Sequence, residues 1–346
     1  MLSLRCISLI LAVAFVLACA QAAPAKPLQE NSGLDNVFDG PKVINIVDDF
    51  LVFWDQAKDQ PLYRQRRLWM QLVQSKHPDY FERAVYRGAG LTERRALLND
   101  FLLRVPAQVE AIREFNANVS NVGTSALAEA YVLFTLRFPE YRQAHDIYLG
   151  LSMYTFDGAI RAVNNDEGAP DTLCLGAEVL SSYSSDQLRI ALAHELFHLY
   201  HFSFLFRNPS LADFQTASMP LMIEGMAVAG AEAVYERQPL AAYLHFSEDE
   251  LSSQQEAIAG NAKRFLELVQ TGATSQSYGA WFTGSDAGAA PPRGAYLLGY
   301  EVVNRVLAGN RLEQMVRMTP AELREHADEQ LAAMAADGIF LVSLAR

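Results

Sequence analysis

Cysteine is scarce in this chain of 346 residues. The sequence contains three, Cys6, Cys19 and Cys174, and the first two fall in an apolar segment near the amino terminus. Once that segment is removed, one thiol is left, so an intrachain disulfide is excluded in the mature form. A single thiol of this kind is more often a small buried side chain than a metal ligand or a redox switch. We interpret Cys174 in that way.

Positive charge is scarce as well. Lys and Arg number 28 against 40 Asp and Glu, which gives a formal net charge of −12 and a pI near 5.1. The basic cluster Arg64-Gln65-Arg66-Arg67 is short and typical of the solvated face of a helix. Without a Lys/Arg stripe, this charge repels phosphate backbones. The sequence therefore predicts no nucleic-acid partner.

The apolar run at residues 7–20 is shorter than the roughly 20 residues of a membrane-spanning helix. Preceded by Arg5 and followed by small residues, it has the three-part form of a secretory signal peptide over residues 1–22. Cleavage after Ala22 would release a soluble exported protein, periplasmic or secreted. A second interpretation is a degenerate lipobox over residues 16–19. In that case Cys19 is acylated and attaches the protein to the membrane of a bacterial cell envelope.

Apolar side chains are plentiful, since 51% of the residues are hydrophobic, which is enough for a substantial core. Residues 23–41 are rich in Pro, Gly, Asn and Asp and predict a flexible linker. We expect a helical amino-terminal region over residues 42–140 and a second domain over residues 141–346. No internal repeat is visible.

Apolar periodicity predicts mainly helix in the first 140 residues. The predicted segments lie near residues 43–54, 66–75, 92–104, 106–116 and 125–137. Residues 146–154 and 172–175 are strand candidates that flank a turn cluster at 164–170, and we expect these two strands to pair. The predicted class is α+β, predominantly helical, with a small sheet.

The most informative motif is His194-Glu195-Leu196-Phe197-His198. Two histidines four residues apart share one face of a helix and can both ligate one Zn²⁺. Glu195 projects beside that metal, where its carboxylate can take a proton from zinc-bound water. The alternative is a core helix whose histidines only form hydrogen bonds inside the fold.

The flanking residues favour the helix that this motif needs. Ser184 or Ser185 can cap it, Asp186 suits its positive amino-terminal end, and neither Pro nor Gly interrupts residues 186–202. His201 follows on the same face. It lies about 10 Å along the axis from His194, so we expect it to support the site or the fold and not to ligate the metal.

A catalytic zinc has three protein ligands and one open position. Glu224 is the leading candidate for the third ligand, because it is a lone carboxylate within the apolar helical stretch 221–229. Asp213 and Glu232 are rivals. Asp213 lies in a more polar connection, whereas Glu232 falls on a similar face of the same predicted helix.

These motifs, with the segment Gly294-Ala-Tyr-Leu-Leu-Gly-Tyr300, resemble a gluzincin-like family of predicted zinc-dependent proteases, some related to the gliding-motility lipoprotein GldB. The resemblance covers roughly residues 36–320. It implies a zincin-like domain, with His194, His198 and Glu224 as metal ligands and Glu195 as catalytic base.

The same resemblance implies a residue that holds the oxyanion together with the metal. Tyr296 is the candidate, and Arg293 and His245 are weaker ones. The alternative is that Tyr296 and Tyr300 pack as an aromatic pair one helical turn apart.

In gluzincins, the strand before the zinc helix forms a wall on which a peptide aligns, and residues 172–177 occupy that position here. The alternative is an interior strand whose edges are both paired. The Gly- and Ala-rich segment 275–292 predicts a loop that covers the cleft or serves as a linker.

The sequence thus predicts an exported zinc metallopeptidase that acts on a peptide or protein substrate. A non-enzymatic envelope scaffold or binding protein that keeps the fold is the alternative. An intact Glu195 argues against it, because a scaffold has no physical need for a base beside the metal. Neither the substrate sequence nor the oligomeric state can be predicted.

Overall fold

The computed structural model describes residues 41–119, 125–142, 146–163, 172–206, 216–273, 275–283 and 290–337. The predicted signal peptide, Cys19 and all but the last residue of the predicted linker lie outside these ranges. So do the turn cluster at 164–170 and the rival ligand Asp213.

The amino-terminal region is built from five helices within the described residues. They are α1 Val47–Ala57, α2 Leu62–Leu72, α3 Leu91–Arg104, α4 Val109–Val119 and α5 Ala126–Arg137. A π-helical segment, Tyr80–Tyr86, follows α2. Phe50, Trp69 and Phe101 meet edge to face at the centre of this region, with ring centroids 5.2–6.4 Å apart, a favourable arrangement for buried aromatic rings.

A four-stranded mixed sheet joins this region to the rest of the chain. Its strands are β1 Val43–Asn45, β2 Ile147–Gly150, β3 Gly158–Arg161 and β4 Thr172–Gly176, in the order β1-β2-β4-β3. β1 and β4 both run parallel to β2, whereas β3 is antiparallel to β4. β1 therefore pairs across the predicted domain boundary.

The carboxy-terminal part is helical. Its longer helices are α7 Ser185–Leu205, α8 Ser218–Val234, α10 Glu248–Glu256, α11 Ile258–Gln270, α14 Gly294–Leu307 and α16 Pro320–Asp337. Shorter ones are α6 Ala177–Leu180, α9 Leu240–Leu244, α12 Ser275–Tyr278, α13 Ala280–Thr283 and α15 Leu312–Met315. In the described ranges, no helix combines the length and apolar character that crossing a bilayer requires.

Glycines allow the central helices to approach closely. A Cβ on Gly225 of α8 would clash with the carbonyl oxygen of Gly299 on α14, and a Cβ on Gly230 would clash with the ring of Phe197 on α7. α8 is therefore held between α7 and α14 at backbone distance, with almost its whole length buried.

The predicted α+β class, predominantly helical with a small sheet, is confirmed. β2 and β4 pair as expected. Of the two alternatives for residues 172–177, the structure supports the interior strand, because β4 is paired on both sides, with β2 and with β3. Strands β1 and β3 were not predicted from the sequence. The segment 275–292, predicted as a loop, contains the short helices α12 and α13.

Candidate metal centre

The helix α7 carries the His-Glu-x-x-His motif and begins with a capping box. The Ser184 hydroxyl accepts a hydrogen bond from the Gln187 backbone N–H at 3.3 Å, and the Gln187 side chain accepts one from the Ser184 N–H at 3.0 Å. This reciprocal pair satisfies two backbone donors that would otherwise lack partners. It fixes the start of α7 at Ser185 and hence which residues face α8.

The helix α8 brings Glu224 to the motif. Glu224 is 1% exposed within an otherwise apolar stretch, where an ionised carboxylate is costly without compensation. Here the compensation is histidine: Glu224 Oε2 lies 3.1 Å from His194 Nε2 and 3.6 Å from His198 Nε2. The position predicted for the third ligand is thus beside the two histidines.

The three side chains have the donor set and spacing of a zinc site. The two histidine Nε2 atoms lie 3.0 Å apart, and the three ligand atoms are all within 4.8 Å of one another. Atoms about 2.0–2.1 Å from one tetrahedral Zn²⁺ lie about 3.3 Å from each other, close to the separations seen here. Two imidazole nitrogens and one carboxylate oxygen therefore fit zinc in both chemistry and size.

The charge state of Glu224 suits a metal ligand. Burial raises its pKa, but the charge of His198 and the hydrogen bonds of both histidines outweigh burial and lower the pKa to about 2. Burial lowers the pKa of His194, although Glu224 opposes this effect. An ionised carboxylate beside a neutral imidazole is the protonation state in which both groups bind a metal.

Glu195 lies next to this cluster and is buried, at 7% exposure. Its Oε2 has no hydrogen-bond partner within the described residues. Burial raises the pKa of Glu195 well above its ordinary value, as do the charges of Asp157 and Glu224, whereas Arg161 lowers it. The carboxyl group is therefore poised to exchange a proton.

The strand β3 passes directly beside Glu195. A Cβ on Gly158 would lie within 2.5 Å of the Glu195 Cδ, so only a glycine leaves room for this side chain. Within the described chain, β3 pairs only with β4, and all four of its residues are buried. It is β3, and not β4, that is the sheet edge next to the candidate site.

A pocket opens beside the cluster, and His194, Glu195 and Glu224 form part of its lining. The other lining residues are Asp157, Ala191, Tyr243, His245, Arg293 and Tyr296. The Tyr296 ring lies 6.2 Å from the His194 ring and 6.1 Å from Phe282, and the guanidinium of Arg293 stacks 4.2 Å above it. All three candidates for oxyanion binding, Tyr296, Arg293 and His245, thus line one pocket.

Three other residues considered in the sequence, Glu232, His201 and Cys174, lie outside the cluster of metal ligands. Glu232 lies outside the cluster and accepts a hydrogen bond from the Tyr300 hydroxyl at 2.8 Å. Tyr300 therefore contacts Glu232, whereas Tyr296 lines the pocket beside the cluster. His201 is buried beside Phe197 and Phe202 and is not one of the clustered ligands. Cys174 is buried in β4, as expected for a structural side chain.

The sequence analysis did not identify Asp157 or Gly158. Both precede the motif by more than 30 residues, and no periodic pattern connects them to it. The one local feature is an Asp-Gly pair at the start of β3. It marks the site only once β3 is known to lie beside α7.

Residues 157–325 match the sequence family described as "Predicted Zn-dependent protease (DUF2268)". The matched range contains the whole cluster and lies inside the predicted domain 141–346. No curated protein and no solved structure shows significant similarity to the chain. The chain thus matches a family of predicted zinc-dependent proteases over residues 157–325 and contains a His-His-Glu group that can hold a metal ion. The relation to GldB stays a prediction.

Proposed function

We propose that this protein is an exported zinc metallopeptidase that hydrolyses a peptide or protein substrate. The observation that carries the proposal is the convergence of His194 Nε2, His198 Nε2 and Glu224 Oε2, at separations of 3.0–3.6 Å, beside the buried carboxylate of Glu195. The family match supports the same chemistry. Export rests on the signal-like amino terminus alone.

When bound, zinc would polarise the scissile carbonyl and lower the pKa of water at the site. His194, His198 and Glu224 are the residues that would hold it. The carboxylate of Glu224 would offset part of the charge of the ion, whereas the two imidazoles would bind it as neutral ligands.

Glu195 is the group that moves the proton. It follows His194 on α7, and its side chain is confined between β3 and the cluster. Its carboxylate takes a proton from the attacking water and passes it to the leaving amine, as a base and then an acid.

Tyr296 acts on the carbonyl oxygen. Its ring is fixed between Phe282 and Arg293 beside His194, which leaves its hydroxyl little freedom to reorganise. A preorganised donor aimed at developing negative charge is among the strongest contributions an enzyme makes.

The test is peptide cleavage by the zinc-loaded protein, with a peptide library as substrate. Wild type should cleave a subset of sequences, and Glu195→Gln should abolish cleavage while retaining zinc. Glu129→Gln, which changes a surface carboxylate paired with Arg189 at 3.0 Å, is the matched control and should cleave normally. A wild type that binds zinc and cleaves nothing would favour the envelope scaffold instead.

A further inference from the structure

The pocket beside the metal ligands contains a half-buried carboxylate, Asp157, to which the proposed mechanism gives no role. Asp157 immediately precedes β3, so it lies beside the same Gly158 that makes room for Glu195. Each of its oxygens accepts a hydrogen bond: Oδ1 from the Gly158 N–H at 2.8 Å and Oδ2 from the Tyr183 hydroxyl at 2.7 Å. Its position is therefore fixed from two sides.

Two groups that influence the ionisation of Asp157, Arg293 and His245, line the same pocket. The charge of Arg293 is the strongest influence that favours its ionised form, and His245 contributes in the same direction. Against the effect of burial, Arg293, the hydrogen bonds from Tyr183 and Gly158, and His245 together lower the pKa of Asp157 to about 2. A half-buried carboxylate thus shares one pocket with a guanidinium and an imidazole.

Both of these side chains leave the backbone at unusual positions. Arg293 and His245 have φ of 54°, in the left-handed region that non-glycine residues rarely adopt. Such a conformation persists only where surrounding contacts enforce it, and it is concentrated at functional sites. The Gln254 amide donates to the carbonyl of the preceding Pro292 at 2.8 Å, and His245 is the left-handed C-cap of α9.

Tyr183 connects the two sides of this arrangement. Its hydroxyl donates to Asp157, and its ring lies 5.1 Å from the ring of His245. Arg293 in turn stacks on Tyr296. Tyr183 thus contacts both Asp157 and His245, and Asp157, His245, Arg293 and Tyr296 line one pocket with His194 and Glu224.

We propose that Asp157 is a positioning residue, whose carboxylate holds Arg293 and His245 on the pocket wall so that they bind anionic oxygens of a substrate or analogue at the metal site. The inference rests on the proposed function for the metal site, but its primary test does not need turnover. Arg293 is suited to the task because a guanidinium binds such oxygens through two parallel hydrogen bonds.

The test measures binding of an N-phosphoryl dipeptide, a tetrahedral anion, to the zinc-loaded full chain by calorimetry. Asp157→Asn keeps the size and part of the hydrogen bonding but removes the charge. It should retain zinc and weaken probe binding about tenfold or more, as expected for loss of a charged interaction. Arg293→Ala should weaken binding to a similar degree. The double variant should bind about as weakly as the weaker single variant, because Asp157 acts through Arg293.

Asp186→Asn, in the first turn of α7 and 70% exposed, is the matched control and should bind the probe like wild type. A purely structural Asp157 would lower the melting temperature and leave the dissociation constant unchanged. Unchanged binding in Asp157→Asn, losses that multiply in the double variant, or no probe binding by zinc-loaded wild type would each overturn the inference. If Asp157→Asn fails to fold, Tyr183→Phe removes one of its hydrogen bonds and should show a smaller loss, again not additive with Arg293→Ala.

Peptide cleavage measured on the same samples separates the two claims. Wild type that binds zinc and probe but cleaves no peptide contradicts the peptidase function and leaves the role of Asp157 standing. Cleavage and probe binding that are unaffected by Asp157→Asn contradict the role of Asp157 alone.

Discussion

Gly225 of α8 and Gly299 of α14 meet backbone to backbone, because a Cβ on either residue would clash with a carbonyl oxygen of the opposite helix. Each glycine lies close in sequence to a functional candidate: Gly225 follows Glu224, and Gly299 is three residues after Tyr296. The crossing point of the two helices therefore sets the distance between the carboxylate ligand and the tyrosine.

Gly225→Ala should destabilise the protein by about 2 kcal/mol or more, since overpacking at a backbone contact cannot be relieved by a rotamer change. The helices would separate, and we expect zinc affinity to fall together with stability. Chemical denaturation gives the free energy of unfolding, and a zinc titration gives the affinity.

Gly260→Ala is the matched control for this substitution. Gly260 lies near the start of α11, is exposed, and has no atom within 4 Å of an added Cβ. The added methyl group should stabilise the helix by about 0.5–1 kcal/mol. A Gly225→Ala protein as stable as wild type would mean that the two helices do not meet at backbone distance.

Gly158→Ala should impair the base without removing the metal. The added Cβ would occupy space held by the Glu195 side chain, so that the carboxylate must move, whereas the ligands belong to α7 and α8. We expect kcat to fall about 100-fold, the order of magnitude for a catalytic group displaced by about 1 Å. Zinc content should stay at the wild-type level; loss of zinc together with activity would show that β3 supports the ligands as well.

Tyr296→Phe should lower kcat about 100-fold with little change in KM, because it removes one donor to the developing oxyanion. Tyr300→Phe is its control on the same helix. That change removes the hydrogen bond to Glu232 and should cost about 1 kcal/mol of stability with kcat near wild type. Equal kcat values for the two variants would mean that Tyr296 does not bind the oxyanion and that another residue of the pocket does.

His201 should make the fold sensitive to acid. Neither ring nitrogen has a hydrogen-bond partner in the described part of the chain. Burial, with a contribution from His198, lowers its pKa from 6.5 to about 3. Between these two values the unfolded chain binds a proton that the folded protein does not, so stability falls as pH drops below about 6.5.

At pH 4.5 this loss amounts to about 2–3 kcal/mol. His201→Phe, a change of similar size that cannot titrate, should lose correspondingly less stability between pH 7 and pH 4.5. Chemical denaturation of both proteins at the two pH values gives the free energies of unfolding from which these losses are calculated. Parallel losses in wild type and variant would mean that His201 is hydrated or paired in the folded protein.

The sequence was sufficient for the parts of the site that lie on long helices. The spacing of His194 and His198 placed them on one face, and Glu224 was recognised because a carboxylate in an apolar helix needs a partner. Both inferences depend on local periodicity, which a single sequence displays directly.

The opposite wall of the pocket could not be predicted in this way. Asp157 and Gly158 reach the site only because β3 lies at the sheet edge beside α7, and four residues of strand give almost no periodic signal. The same limitation explains why β1 was missed and why the sequence left open whether β4 is an edge strand or an interior one. Which strand is interior depends on pairing between distant segments, and local pattern does not encode it.

The central claim is that His194, His198 and Glu224 bind one zinc ion, and the most direct measurement is the zinc content of the purified protein by elemental mass spectrometry. Wild type should contain about one Zn²⁺ per chain, and His198→Ala and Glu224→Ala should each lose it. Glu232→Gln, a carboxylate on the same helix but bonded to Tyr300, should retain zinc. Wild type without zinc, or Glu224→Ala with a full complement of it, would contradict the account.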